Sequence, residues 1–139
     1  MLFWSDFKMH SKKAGRKMTS WVLKKTQMRE VQLKFDITPS GAFVMLQIDH
    51  KFDDRRIEIY NRFVKYKMVI DETCGEELIW DPHYFMEGHK EISVIYYFLD
   101  GVNVYDKEQW PKIFAFFMSK MNLLEISFLD VKDVVKSMG

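Results

Sequence analysis

Val31-Gln32-Leu33-Lys34-Phe35-Asp36-Ile37, followed by Thr38-Pro39-Ser40-Gly41 and the run Ala42 to Asp49, decides the fold of this 139-residue chain. Val31, Leu33, Phe35 and Ile37 alternate with Gln32, Lys34 and Asp36, the period of two that puts successive side chains on opposite faces of a strand. Pro39 followed by Gly41 is turn chemistry, with proline pre-setting φ and glycine free to take positive φ. Val44, Leu46 and Ile48 then share one side of a second strand. The pair predicts an antiparallel hairpin with one apolar face, which needs a layer of helices against it.

Outward from the hairpin, the chain supplies that layer. In the segment from Leu2 to Ala14, Phe3, Phe7, His10 and Ala14 fall at helical spacing, with Trp4 and Ser11 beside the stripe and Gly15 as its stop. Trp21 to Thr26 reads as a further strand, interrupted by Lys24-Lys25. Asp53 is expected to cap a helix over 54–70 that points Ile57, Tyr60, Phe63, Val64 and Met68 inward. Leu78-Ile79-Trp80 and Ile92 to Leu99 read as a second hairpin around a polar loop with Pro82, His83 and Gly88. Apolar on both faces, Ile92 to Leu99 belongs in the centre of the sheet or against a second copy of the chain. Asp106, with Gln109 in capping-box position and Pro111 in the first turns, opens a third helix through Ile113, Phe116, Phe117 and Lys120. A last helix points Phe128, Val131, Val134, Val135 and Met138 inward. The expected fold is α+β: a single domain over 1–139 with a mostly antiparallel five-stranded sheet packed by three or four helices, in the order α-β-β-β-α-β-β-α-α.

Composition narrows the function classes. With 47% hydrophobic and 16% aromatic residues the chain is too apolar to be disordered. Its apolar runs of five or six residues, such as Ile113 to Phe117, are far short of the ~20 needed to span a bilayer. The N-terminal residues lack the apolar core of a secretory signal, and Cys74 is the sole cysteine. Both point to a reducing cytoplasm. Acids at Glu72, Glu76 and Glu77 disfavour a thiolate, so Cys74 reads as incidental rather than nucleophilic.

The net charge of +1 conceals an asymmetry. Residues 1–34 carry nine Lys and Arg against Asp6 and Glu30, a surplus of seven; the other 105 residues carry 12 basic and 18 acidic groups, a deficit of six. Such a basic third either neutralises the acidic remainder of its own fold or contacts a polyanion. Arg16, Lys17, Lys24, Lys25 and Arg29 are the candidate phosphate contacts, and Trp21 is the aromatic that stands among them. The other strand-borne and helix-borne rings (Tyr60, Tyr66, Tyr84, Tyr96, Tyr97, Trp80, Trp110) sit mostly at core spacing and read as packing.

Signatures of common enzymes are missing: no glycine-rich phosphate loop and no Gly-x-Ser-x-Gly elbow. The four histidines lack the spacing of a zinc site, although His83 and His89 share a loop. The element order does resemble the nuclease superfamily in which two acids and a lysine hold Mg²⁺. Asp36 with Asp49 and Lys51 is the set that would serve, the acids on the hard cation and the lysine on the attacking water. Without that set, no cofactor is expected.

Phe3-Trp4-Ser5-x-Phe7, Leu99-x-Gly101-Val102 and Asp106-x-x-x-Trp110-Pro111 ahead of Phe116-Phe117 give the chain a resemblance to a bacterial family of domains of unknown function. Its members occur as stand-alone proteins and as the C-terminal part of larger proteins with a nuclease-like half, often near DNA-restriction functions. The resemblance carries no catalytic residue and implies, by association, a link to nucleic-acid processing. The sequence thus predicts a cytoplasmic, non-catalytic accessory domain whose basic N-terminal third contacts DNA, RNA or a protein, with no membrane. The alternatives are the Mg²⁺ nuclease set and a homo-oligomeric scaffold built on Ile92 to Leu99.

Overall fold

The alternation over 31–48 becomes a hairpin of β1 (Val31–Thr38) and β2 (Gly41–Ile48), in register from Val31 opposite Ile48 to Thr38 opposite Gly41. The computed structural model describes residues 2–86, 88 and 90–138. Gly41 closes the turn at φ +150°, where a Cβ would run into the Leu99 carbonyl oxygen. β3 (Ile79–Phe85) and β4 (Glu91–Asp100) form the second hairpin, and β4 pairs antiparallel with β2. The strand order β1-β2-β4-β3 leaves β1 and β3 at the edges.

One face of this sheet carries Val31, Leu33, Phe35, Val44, Leu46, Ile48, Ile95 and Tyr97 into a single core. Four helices cover it: α1 (Phe3–Lys13), α2 (Asp53–Val64), α3 (Lys67–Thr73) and the 28-residue α4 (Trp110–Ser137). The centre of the packing is aromatic. Phe117 of α4 is fully buried, with Phe7 of α1 at 5.2 Å and Phe35 of β1 at 5.1 Å between ring centroids. Phe7 meets Phe117 edge to face and Phe35 meets it tilted, and aromatic pairs of this kind add to the gain from burial alone. The opposite face holds a smaller cluster of Phe43, Met45, Ile92 and Val94, covered by Tyr84, Met86 and Tyr96. The two apolar faces of β4 are therefore both used within the chain, and its central place is the one expected.

The architecture is α+β, with four strands among the described residues rather than five. Trp21 to Thr26 does not pair as a strand: it follows a single 3-10 turn (Met18–Ser20), and Leu23 takes φ +42°, off the extended region. The Trp21 side chain is fully buried, which gives the segment its apolar look without a strand. The two terminal helices are one, because Ile113, Phe117, Met121, Leu124, Phe128, Val131 and Val135 form an unbroken inward stripe. Conversely, the helix expected over 54–70 breaks at Tyr66, so that Met68 is exposed and Ile70 points inward instead. Asp53 lies in the first turn rather than capping it, bonding Arg56. None of the described helices is long and apolar enough to cross a membrane.

Phe117→Ala is expected to cost about 3–5 kcal/mol of unfolding free energy in urea titrations, the range for emptying a large buried aromatic site. A loss under about 1 kcal/mol would show that the aromatic stack does not hold α1 and β1 on α4.

Candidate nucleic-acid interface

Residues 14–30 join α1 to β1, and one carboxylate on α4 fixes their path. Glu125 accepts hydrogen bonds from Arg16 Nη2 (3.0 Å) and from the Val22 backbone N–H (2.8 Å). Arg16 Nη1 donates to Asn122 Oδ1 at 2.7 Å, and the guanidinium lies 3.7 Å from the centre of the Trp21 ring. Trp21 Nε1 in turn donates to the buried Ser11 hydroxyl (3.1 Å), which bonds the Arg16 carbonyl. Two of the six expected contacts are thereby consumed. Arg16 is neutralised and Trp21 is buried, so neither is free for a ligand.

The remaining basic groups are free. Among the described residues, no carboxylate lies within ion-pair distance of Lys8, Lys12, Lys13, Lys17, Lys24, Lys25, Arg29 or Lys34. Lys17, Lys24, Lys25 and Arg29 are exposed; the Lys25 ammonium rests on the Thr19 carbonyl. Among the described residues, Arg16 is thus the one cation of the basic third that is ion-paired with the acidic remainder of the fold.

Lys24, Lys25, Arg29 and Lys34 border the free edge of β1, while Lys17 lies outside the clefts there. Three adjoining clefts run along that edge. The first, of about 420 Å³, is lined by Lys24, Arg29 and Gln32 together with the acids Glu30 and Asp49. The second, of about 740 Å³, shares Lys24 and Gln32 and adds Trp4, Val22, Leu23, Lys25, Lys34 and Asp36. The third, of about 500 Å³, shares Trp4 and Asp36 and ends at Val104 and Tyr105. At ~3.3 Å per residue the eight residues of β1 give this trough a length of about 26 Å. The sequence pointed to the lysines but not to Trp4, Lys34 or Tyr105. The signal for Trp4 was its place beside the α1 stripe rather than in it.

The Mg²⁺ set is not assembled. The Asp49 N–H donates to the Glu30 carbonyl, so Asp49 stands opposite Glu30, six residues along β1 from Asp36. That separation is about 20 Å, against metal–oxygen distances of about 2.0–2.6 Å. Asp49 and Lys51 do share a cleft with His50, but Asp49 is paired with Lys90. Lys51 instead sits 5.2 Å from the Phe52 ring. The neighbouring acids are held by Arg56, which is 1% exposed and lies 3.1 Å from Asp53 Oδ1 and 3.4 Å from Glu91 Oε2. Among the described residues no three His, Cys, Asp or Glu side chains are placed to hold a metal ion. His83 bonds Glu91 at 2.8 Å, and His89 lies outside the described residues. Cys74 is buried, and burial pushes its thiol further from ionising, as an inert structural cysteine requires.

Residues 1–132 match the family model described as Domain of unknown function (DUF4268). The chain belongs to this family. The DUF4268 match spans α1, the basic segment, the whole sheet and most of α4, so the trough and its clamp both lie inside the family unit. Searches of the curated proteins and of the solved structures find no match.

Glu125→Ala is expected to cost about 2 kcal/mol, since it removes the charged, largely buried acceptor of the Arg16 and Val22 N–H groups. Hydrogen exchange should then quicken at Val22 and across residues 16–25 while the amides of β2 and β4 stay protected. Unchanged exchange at Val22 would contradict the clamp.

Proposed function

We propose that this DUF4268 domain is a non-catalytic interaction domain that holds nucleic acid by its phosphates, through Lys17, Lys24, Lys25, Arg29 and Lys34. One observation carries the reading: among the described residues, Lys24, Lys25, Arg29 and Lys34 at the β1 edge have no carboxylate partner, while Glu125 is the acid that pairs with the same segment. Unpaired cations gathered along a groove raise the local potential and steer a polyanion. The contacts go to phosphate and sugar, which set position and carry little sequence information. The resemblance to bacterial proteins near DNA-restriction functions points the same way, and a reducing cytoplasm is the setting this reading expects for the buried Cys74 thiol.

Fluorescence anisotropy with labelled DNA of random sequence, titrated from about 20 to 200 mM KCl, tests the proposal. Binding should weaken with salt, each phosphate contact adding about 0.7–0.9 to the log–log slope. The double variant Lys24→Ala/Lys25→Ala should lower that slope by about 1.5. Lys120→Ala should leave it unchanged, because Lys120 is paired with Glu76. Absence of binding at 20 mM KCl would overturn the proposal.

A further inference from the structure

The trough has a floor that phosphate contacts alone do not use. Between Lys24, Lys25 and Lys34 it is lined by Val22, Leu23 and the Trp4 ring. Trp4 is stacked on Phe117, with ring planes 5° apart and centroids separated by 5.8 Å, yet 38% of it remains exposed. It belongs to both the central cleft and the far one. The far cleft ends at Tyr105, which is 83% exposed. A ring held by stacking on the core and still open to two clefts offers an aromatic contact, and here it stands between a basic stretch and a second exposed ring.

Two occupants compete for such a place on a sheet edge, an added peptide strand and a single nucleic-acid strand. The backbone decides between them. Val31 N–H bonds the Met28 carbonyl and Leu33 N–H bonds the Leu23 carbonyl, so the odd residues of β1 face away from β2. Ile37 N–H is taken by the Asp36 carboxylate. Of the four outward N–H groups, Phe35's is therefore the one left for a peptide, which needs a donor at every second residue. Most of the donors that strand addition needs are thus already taken along this edge. A nucleic-acid strand needs no ladder; it needs cations for its phosphates and rings for its bases.

A duplex would use the cations and leave the apolar floor empty, since its bases are stacked and paired inside. From these observations, and resting on the phosphate-binding reading above, we infer that the ligand is single-stranded nucleic acid. Its phosphates lie along Lys24, Lys25 and Lys34, and an unpaired base stacks on Trp4. Asp36 is the acid in the central cleft, which orients the strand: phosphates gather at the lysine end and bases reach toward Trp4 and Tyr105.

The test uses labelled (dT)12 and a 12-base-pair duplex at one salt concentration, on the full chain and on Trp4→Leu and Trp4→Phe. The single strand should bind at least about tenfold tighter than the duplex. Trp4→Leu should weaken (dT)12 about 5- to 100-fold, the range for losing one stacked base, without changing the salt slope or duplex binding. Trp4→Phe keeps a ring and should retain most of the affinity. Binding of (dT)12 should also quench tryptophan fluorescence, and Trp4→Phe should abolish the quench. Equal affinity for single strand and duplex, unaffected at Trp4, would overturn this inference and leave the phosphate reading standing. Failure of both probes to bind at 20 mM KCl would overturn both. Displacement of (dT)12 by a nonapeptide of alternating aspartate and valine would assign the trough to an extended peptide and overturn the inference.

Discussion

Glu125 is the constraint on which the path of the basic segment, and so the candidate site, depends. A connection that carries five of the chain's cations between α1 and β1 would, left to itself, spread into solvent by mutual repulsion. Glu125 supplies one well-placed charge on α4 and takes two donors of different kinds, the Arg16 guanidinium and the Val22 N–H. Arg16 then covers the Trp21 ring, and Trp21 bonds back to Ser11 at the end of α1. A charge-assisted bond of this kind is stronger than a neutral one. One acid thus fixes the segment's path and leaves the other cations on its outer side.

The aromatic core fixes the second half of the arrangement. Phe117 meets Phe7 and Phe35 on its inner side and Trp4 on its outer side. Packing α1 on α4 through these rings carries Trp4 to the margin of the core, next to the edge of β1. The trough is a by-product of how the sheet is covered: the helices close the face but not the edge. At the other edge, β3 is disrupted by a register shift between Asp81 and Tyr84 that includes Pro82, a usual way of keeping an edge strand from pairing. At the β1 edge the same protection comes from the Leu23 carbonyl and the Asp36 carboxylate.

The β1–β2 hairpin was legible because parity is a strong local signal: a shift of one residue would turn every buried side chain out. The central place of β4 was legible for the same reason. Trp21 to Thr26 was not, because its path is set by the bond from the Val22 N–H to Glu125, which lies about a hundred residues away in sequence. The break at Tyr66 and the continuity of α4 depend on where neighbouring helices sit, and neither leaves a glycine or proline at the junction to read. At the candidate site, the excess of cations was visible in composition. Their freedom was not, since pairing is a property of three-dimensional neighbours. The triad of Asp36, Asp49 and Lys51 was plausible by strand parity and failed on register, because the hairpin places the two acids toward opposite ends of β1.

Backbone amide shift mapping measures the location of the proposed binding surface directly. Titrating (dT)12 into the ¹⁵N-labelled protein should move the amides of residues 17–25 and 29–36 and the Trp4 indole signal, leaving the amides of Ile92, Val94 and Phe98 in place. Shifts confined to β3, β4 and the cluster around Tyr84 and Tyr96, with residues 17–36 unmoved, would contradict it.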